Sequence, residues 1–252
     1  MDFDVQHHAR TLALRSPGHV RVGPFVCRFN PSWASPYANY AIPDDRAEPT
    51  AEDIKALIAL FRQRDRKPRL EYLPTCAPSV EKVLLGAGFE VEDRPPVMAC
   101  QPQNLAVPEP VPGLEFREPR GDDDLDDLAA IQHRAFNEPG EPEPGSGAGA
   151  RRIYENGGVV VLARYRGEPA GGGSCSAPVD GMTELGGVAV AARFRRRGIG
   201  AAVSAHLTAL AHARGYRLVW LEPADQDVER VYAGIGFRPV GEKLNISLPA
   251  GR

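Results

Sequence analysis

The sequence predicts a mixed α/β protein built from two related halves. Three observations carry this. Strand-like and helix-like segments alternate along the 252 residues, a Pro-rich stretch divides them, and a ten-residue segment recurs on either side of that stretch. At about 100–200 residues per domain the length admits one large domain or two small ones. The recurrence favours two. Val80-Glu81-Lys82-Val83-Leu84-Leu85-Gly86-Ala87-Gly88-Phe89 lies 148 positions before Val228-Glu229-Arg230-Val231-Tyr232-Ala233-Gly234-Ile235-Gly236-Phe237, with six of ten positions identical. Each copy follows a strand-like segment at the same offset, Leu70–Leu73 and Leu218–Leu221.

In the first half, Thr50 is a cap for a helix whose Ile54, Leu57, Ile58 and Phe61 recur at helical spacing. A strand over 69–73, a helix over 79–87 and a strand over 97–100 follow. Residues 102–113 contain four Pro, which neither donate to a sheet ladder nor continue a helix. They read as a semi-rigid linker between a domain of residues 1–101 and one of residues 114–252.

The second half opens with a strand over 114–117 and a helix over 123–136 whose acidic start suits the positive end of its dipole. A Gly/Pro-rich loop spans 137–150, and strands are expected over 159–165 and 170–177. A strand over 183–190, a helix over 198–214 and a strand over 217–222 form a βαβ unit. A helix over 228–234 and strands near Val240 and over 244–248 close the chain.

Composition removes several function classes. A net charge of −3 argues against a general nucleic-acid binder. No apolar run approaches the roughly 18 residues of a membrane span. Cys27, Cys76, Cys100 and Cys175 show no CxxC spacing, so neither a metal site nor a disulfide framework is expected. Met1-Asp2-Phe3-Asp4 lacks the basic and apolar regions of a secretion signal, and a reducing cytoplasm is the expected home. Only four of the 30 basic residues are Lys, a bias typical of GC-rich bacterial genomes.

The most informative segment is Thr183-Glu184-Leu185-Gly186-Gly187-Val188-Ala189-Val190 followed by Ala191-Ala192-Arg193-Phe194-Arg195-Arg196-Arg197-Gly198-Ile199-Gly200-Ala201. A strand runs through a basic turn into a helix start, where unpaired N–H groups and the helix dipole make an anion site. Gly198 and Gly200 remove Cβ atoms that would hold a phosphate away, and the arginines add charge and forked donors. The P-loop signature is absent, and the third glycine of a dinucleotide fingerprint is replaced by Val203. Gly186-Gly187 marks either a strand bulge or a tight packing site.

Arg-Arg-Arg-Gly-Ile-Gly, with Glu184 in the preceding strand and Tyr232 ahead of Gly-Phe, resembles the pyrophosphate loop of the GNAT superfamily of N-acetyltransferases over residues 114 to about 248. The resemblance implies two GNAT-like domains in tandem, each a mixed, mostly antiparallel twisted sheet flanked by helices. It implies that the backbone of Val188, Ala189 and Val190 pairs with a pantetheine arm. Arg195, Arg196, Arg197, Gly198, Ile199, Gly200 and Ala201 would hold the pyrophosphate of acetyl-CoA. Glu184 would be the general base and Tyr232 the acid toward the departing thiolate. Asp225 occupies the family's cofactor-contacting Asn position, where a carboxylate accepts but does not donate. The first half has Leu84 at the Tyr232 position and an acidic, glycine-free turn over 43–49, so it reads as a degenerate copy. The two copies together suit a monomer that is an internal pseudo-dimer.

The activity implied is acetyl transfer to a primary amine, of a small molecule rather than a peptide, by direct attack in a ternary complex, since no nucleophilic Cys is evident. The alternatives are a non-catalytic acyl-CoA-binding regulatory module and an acyltransferase that uses another acyl-CoA.

Overall fold

The computed structural model describes residues 1–30, 33–136, 140, 142 and 145–249. Its contacts divide the chain into two compact units. One comprises Met1–Val97 with the chain from Val240 onward; the other is Met98–Pro239. In chain order the elements begin α1 (Asp2–Arg15), β1 (Val20–Val22), β2 (Phe25–Arg28), β3 (Tyr40–Pro43), α2 (Ala51–Gln63), β4 (Arg69–Tyr72), α3 (Val80–Gly86), β5 (Glu90–Asp93) and β6 (Pro96–Cys100). They continue β7 (Leu114–Arg117), α4 (Asp122–Ala135), α5 (Ala148–Glu155), β8 (Val159–Tyr165), β9 (Glu168–Cys175) and β10 (Met182–Val190). They close with α6 (Ile199–Ala213), β11 (Leu218–Leu221), α7 (Gln226–Gly234), β12 (Arg238–Glu242) and β13 (Leu244–Ser247).

The first unit's sheet has the order β1-β2-β3-β4-β13-β5, with β3 and β4 parallel and the remaining pairs antiparallel. Helix α2 starts where Thr50 predicts. Its Oγ1 accepts the Asp53 amide at 3.2 Å, and the Asp53 carboxylate accepts the Thr50 amide at 2.8 Å. Ile54, Leu57 and Phe61 then face a core with Leu70, Tyr72, Val80 and Leu84.

Each sheet is completed by a strand from the other side of the Pro-rich stretch, so strand pairing does not follow the linear division at 101 and 114. Strand β13 pairs with β4 and β5, while Met98–Cys100 of β6 pair with β11. Polar chemistry anchors β13. Its alternate residues Leu244 and Ile246 enter the core. On the opposite face Ser247 donates to Glu92 at 2.6 Å, and the neighbouring Lys243 ammonium donates to Glu71 at 2.6 Å. Arg69, also buried, reaches Glu92 at 2.7 Å. Hydrophobic periodicity carries no information about which sheet a terminal strand joins.

The second unit's sheet has the order β12-β6-β11-β10-β9-β8-β7, with β10 and β11 parallel and β6–β11, β10–β9, β9–β8 and β8–β7 antiparallel. Strand β8 alternates cleanly. Val159, Val161 and Ala163 pack with Val203, Leu207 and Ala211 of α6, while Val160 and Leu162 pack with Leu125, Leu128 and Ile131 of α4. Of the predicted 137–150 loop, residues 137–139, 141, 143 and 144 lie outside the described residues. Its end is helical: α5 begins at Ala148, and Ala150 and Ile153 pack on the α4 side. The predicted linker is held in the second unit. Leu105 and Val111 pack on its core, and the Ala106 amide donates to Ile235 at 3.1 Å.

The recurring segment has one geometry in both units. Phe89 donates to Leu84 and Phe237 to Tyr232, each at 3.1 Å, over left-handed Gly88 and Gly236.

The Glu92 carboxyl is held at about 2. Burial pushes it up, but Lys67, Ser247 and Arg69 together outweigh burial. A depressed folded value adds stability that is present above the ordinary carboxylate value and lost as the pH falls toward 2. Urea midpoints measured from pH 5 to pH 2 should therefore fall for the wild type, and should fall less steeply for Glu92→Gln.

Candidate functional site

The site begins where two parallel strands part. Strand β10 pairs with β11 only at Met182↔Leu218, Thr183↔Val219 and Glu184↔Trp220. Strand β10 then runs on to Val190, and its β11-facing edge has no strand partner there among the described residues. Half-buried Glu184 thus stands at the vertex of a fork. Its amide donates to Ser176 Oγ at 3.0 Å, and its carbonyl accepts the Ser176 amide at 2.8 Å.

A bulge shapes the open arm of the fork. The β10–β9 register shifts between Gly186 and Ala189, and Gly187 adopts φ +62°. Of the two sequence readings for this glycine pair, the bulge is the one observed. The Gly187 carbonyl accepts Gln132 Nε2 of α4 at 2.7 Å. The inserted residue turns the strand's faces over: Leu185 and Val188 both pack on the α6 side, and Ala189 packs on the α4 side. The exposed edge of Val188–Val190 can pair with an extended amide chain. One group there is already used, since the Val190 carbonyl accepts Arg195 Nε at 3.2 Å.

Strand β10 delivers the chain into a turn over Ala192–Phe194, then Arg195–Gly198, then α6. Gly198 caps α6 at φ +79° and offers no capping side chain. The helix's first backbone bond runs from the Ala202 amide to the Gly198 carbonyl at 3.0 Å. The amides of Ile199, Gly200 and Ala201 therefore have no carbonyl within the helix. Arg196 at φ +58° and Gly198 are both left-handed, which turns successive N–H groups into a concave anion cradle. A left-handed arginine costs on the order of 1–3 kcal/mol, a strain found where a site needs it. A Cβ on Gly200 would make only an ordinary contact, 3.8 Å from Val190. Packing therefore does not demand glycine, which costs a helix about 1 kcal/mol against alanine. Its return is clearance over the free amides.

The arginines divide by role. Arg193 pairs with Glu168 at 2.8 Å, and Arg195 spends Nε on Val190. Arg196 has no side-chain partner among the described residues, and Arg197 lies 5.6 Å from the Tyr165 ring centre. The corresponding helix start of the first unit is closed instead. Thr50 and Asp53 cap it reciprocally, each taking the other's amide, and Asp44 and Asp45 of the acidic turn before it pair with Arg21 and Arg10, at 2.6 and 2.7 Å.

Tyr232 lies on α7, only 8% exposed, with its ring against Phe237. Burial pushes its hydroxyl above the ordinary tyrosine value, and the Ser204 hydroxyl of α6 acts in the opposite direction. Asp225 caps α7, accepting the Val228 amide at 2.8 Å, so that helix starts two residues earlier than the sequence predicts. Cys175 is wholly buried and its thiol is pushed far up by burial, which suits packing and not nucleophilic attack.

Glu184, Val188–Val190 and Arg195–Ala201 thus form one continuous path along the fork and into the helix start. Gln132 and Ser204 are additions that no sequence motif marks. A backbone nest beside uncompensated guanidinium groups fits a phosphate-bearing ligand with an amide-containing arm.

Residues 125–237 match the model of the Acetyltransferase (GNAT) family. The chain is similar to a GCN5-related N-acetyltransferase from Kribbella flavida, at 25% identity and a TM-score of 0.81, covering 100% of this chain and 96% of that one. It shares its fold with a GCN5-related N-acetyltransferase from Sphaerobacter thermophilus (18% identity, TM-score 0.62, 89% and 76% covered). It also shares it with a tandem GNAT protein from the clavulanic acid biosynthesis pathway (17% identity, TM-score 0.61, 96% and 88% covered). A search among curated proteins gave no match.

The bulge supplies a test. A Cβ on Gly187 would fall 2.6 Å from Gln132 Nε2 on a left-handed backbone. Gly187→Ala should lower unfolding stability by about 1–3 kcal/mol in urea titrations.

Proposed function

We propose, from the match of residues 125–237 to the Acetyltransferase (GNAT) family and the likeness to a GCN5-related N-acetyltransferase, that the protein is an acetyl-CoA-dependent N-acetyltransferase that acts on a primary amine of a small molecule. The observation that carries this reading is the fork that runs from Glu184 into the uncapped start of α6.

Acetyl-CoA would supply the acetyl group as a thioester. The β10 edge at Val188–Val190 would pair with its pantetheine arm. The amides of Arg196–Ala201, with Arg195, Arg196 and Arg197, would hold the diphosphate. Asp225 keeps one carboxylate oxygen able to accept a hydrogen bond from the arm, the other being the helix cap. Glu184 takes the proton that an ammonium must lose before it attacks. Tyr232, kept protonated by burial, gives a proton to the sulfur as the C–S bond breaks and the C–N bond forms. Anchoring the diphosphate places the reacting groups together, which supplies several kcal/mol of the barrier. The buried Cys175 supports direct attack in a ternary complex. All four cysteines are free and buried, which suits a reducing cytoplasm. Among the described residues no helix is long and apolar enough to cross a membrane. The first unit, with its closed helix start, serves on this reading as a copy without a cofactor.

Acetyl-CoA at a hundredfold excess over its Kd should raise the Tm by about 5–10 °C. No shift at millimolar ligand overturns the proposal, and Arg196→Glu with Gly198→Glu should abolish the shift. Tyr232→Phe should lower kcat at least tenfold while acetyl-CoA affinity changes less than twofold. Unaltered turnover removes Tyr232 from the reaction.

A further inference from the structure

A second basic feature lies beside the loop, at the tip of the β8–β9 hairpin. Arg166 occupies that turn at φ +52°, and its amide donates to the Gly113 carbonyl at 2.7 Å. Its guanidinium lies 5.3 Å from the centre of the Tyr165 ring. Arg197 lies 5.6 Å from the same centre. Tyr165 in turn packs against Phe194 of the loop at 5.5 Å, and Arg193 ties the loop to Glu168 of the hairpin. The hairpin tip and the phosphate loop are thus one packed surface.

Its charge is unbalanced. Of Arg166, Arg193, Arg195, Arg196 and Arg197, only Arg193 makes an ion pair among the described residues, with Glu168. Other arginines of this unit find acids: Arg164 has Asp124 and Asp127, Arg214 has Glu118, and Arg230 has Asp227. A diphosphate diester carries one charge on each phosphorus, so it leaves part of this surplus unanswered. A phosphomonoester brings a further charge of about −1.5 to −2. Guanidinium groups stacked on an aromatic ring are already oriented, so they lose little freedom when they bind one.

We infer that Arg166 and Arg197, held against Tyr165, form a second anion site that takes the 3′-phosphate of coenzyme A. This rests on the reading that the loop binds the coenzyme's diphosphate. It assigns Arg166 a role outside the loop motif and makes the 3′-phosphate a determinant of affinity.

The test is titration calorimetry of the full chain with CoA and with dephospho-CoA, which lacks only that phosphate. The wild type should bind CoA about tenfold or more tightly. Arg166→Gln should lower CoA affinity to near the dephospho-CoA value, and Arg166→Lys should recover part of the loss. Equal wild-type affinities for the two ligands would overturn this site and leave the proposed function standing. An equal loss for both ligands in Arg166→Gln would also overturn it, because Arg166 would then serve the diphosphate. Failure of the wild type to bind either ligand would bring down the proposed function and this site together.

Discussion

Everything in the second unit depends on the parting of β10 from β11 after Glu184 and Trp220. Two parallel strands that stayed paired would bury their edge groups in a ladder. By separating, they leave an edge free beside the vertex carboxylate, and the chain then passes directly into an uncapped helix. The bulge at Gly186–Gly187 maintains the arrangement, because it keeps β10 in register with β9 while reversing which face each later residue presents. Gln132 fixes that bulge from the opposite side of the sheet.

The two units show how one scaffold gains or lacks an anion site through a handful of atoms. Both contain a parallel strand pair, a helix after the first strand of that pair, and the recurring helix that ends in Gly-Phe. In the first unit a threonine and an aspartate cap the helix start, each side chain taking the other residue's amide. In the second, glycine stands there and arginines surround it. A helix terminus satisfied by its own side chains has no need of a ligand, whereas one left bare has amides to offer. Asp45 and Asp44 of the first unit's acidic turn are held in ion pairs with Arg10 and Arg21.

Much of this was legible in the sequence. The helix over Ala51–Gln63 announces itself through its cap and its apolar spacing, and β8 opens on three consecutive valines and has limits that match the expectation. The loop from Arg193 to Gly200 was legible because its chemistry is local: a strand, arginines, two glycines and a helix in succession. Three features were not. The placement of β13 depends on Lys243 and Ser247 meeting Glu71 and Glu92, more than 150 positions away. Helix α5 is short and follows glycines, so its eight residues give too little periodicity to read. The use of Asp225 as a cap, and of Gln132 and Ser204 near the site, depends on where neighbouring helices lie, which no spacing rule encodes.

On the proposed reading the fork and the uncapped helix start hold the acyl donor. The most direct measurement is a crystal structure of the protein with acetyl-CoA. The diphosphate should lie within hydrogen-bonding distance of the Ile199–Ala201 amides, the arm along Val188–Val190, and the sulfur facing the Tyr232 hydroxyl. A donor bound with its diphosphate elsewhere, or with its sulfur remote from both Glu184 and Tyr232, would contradict it.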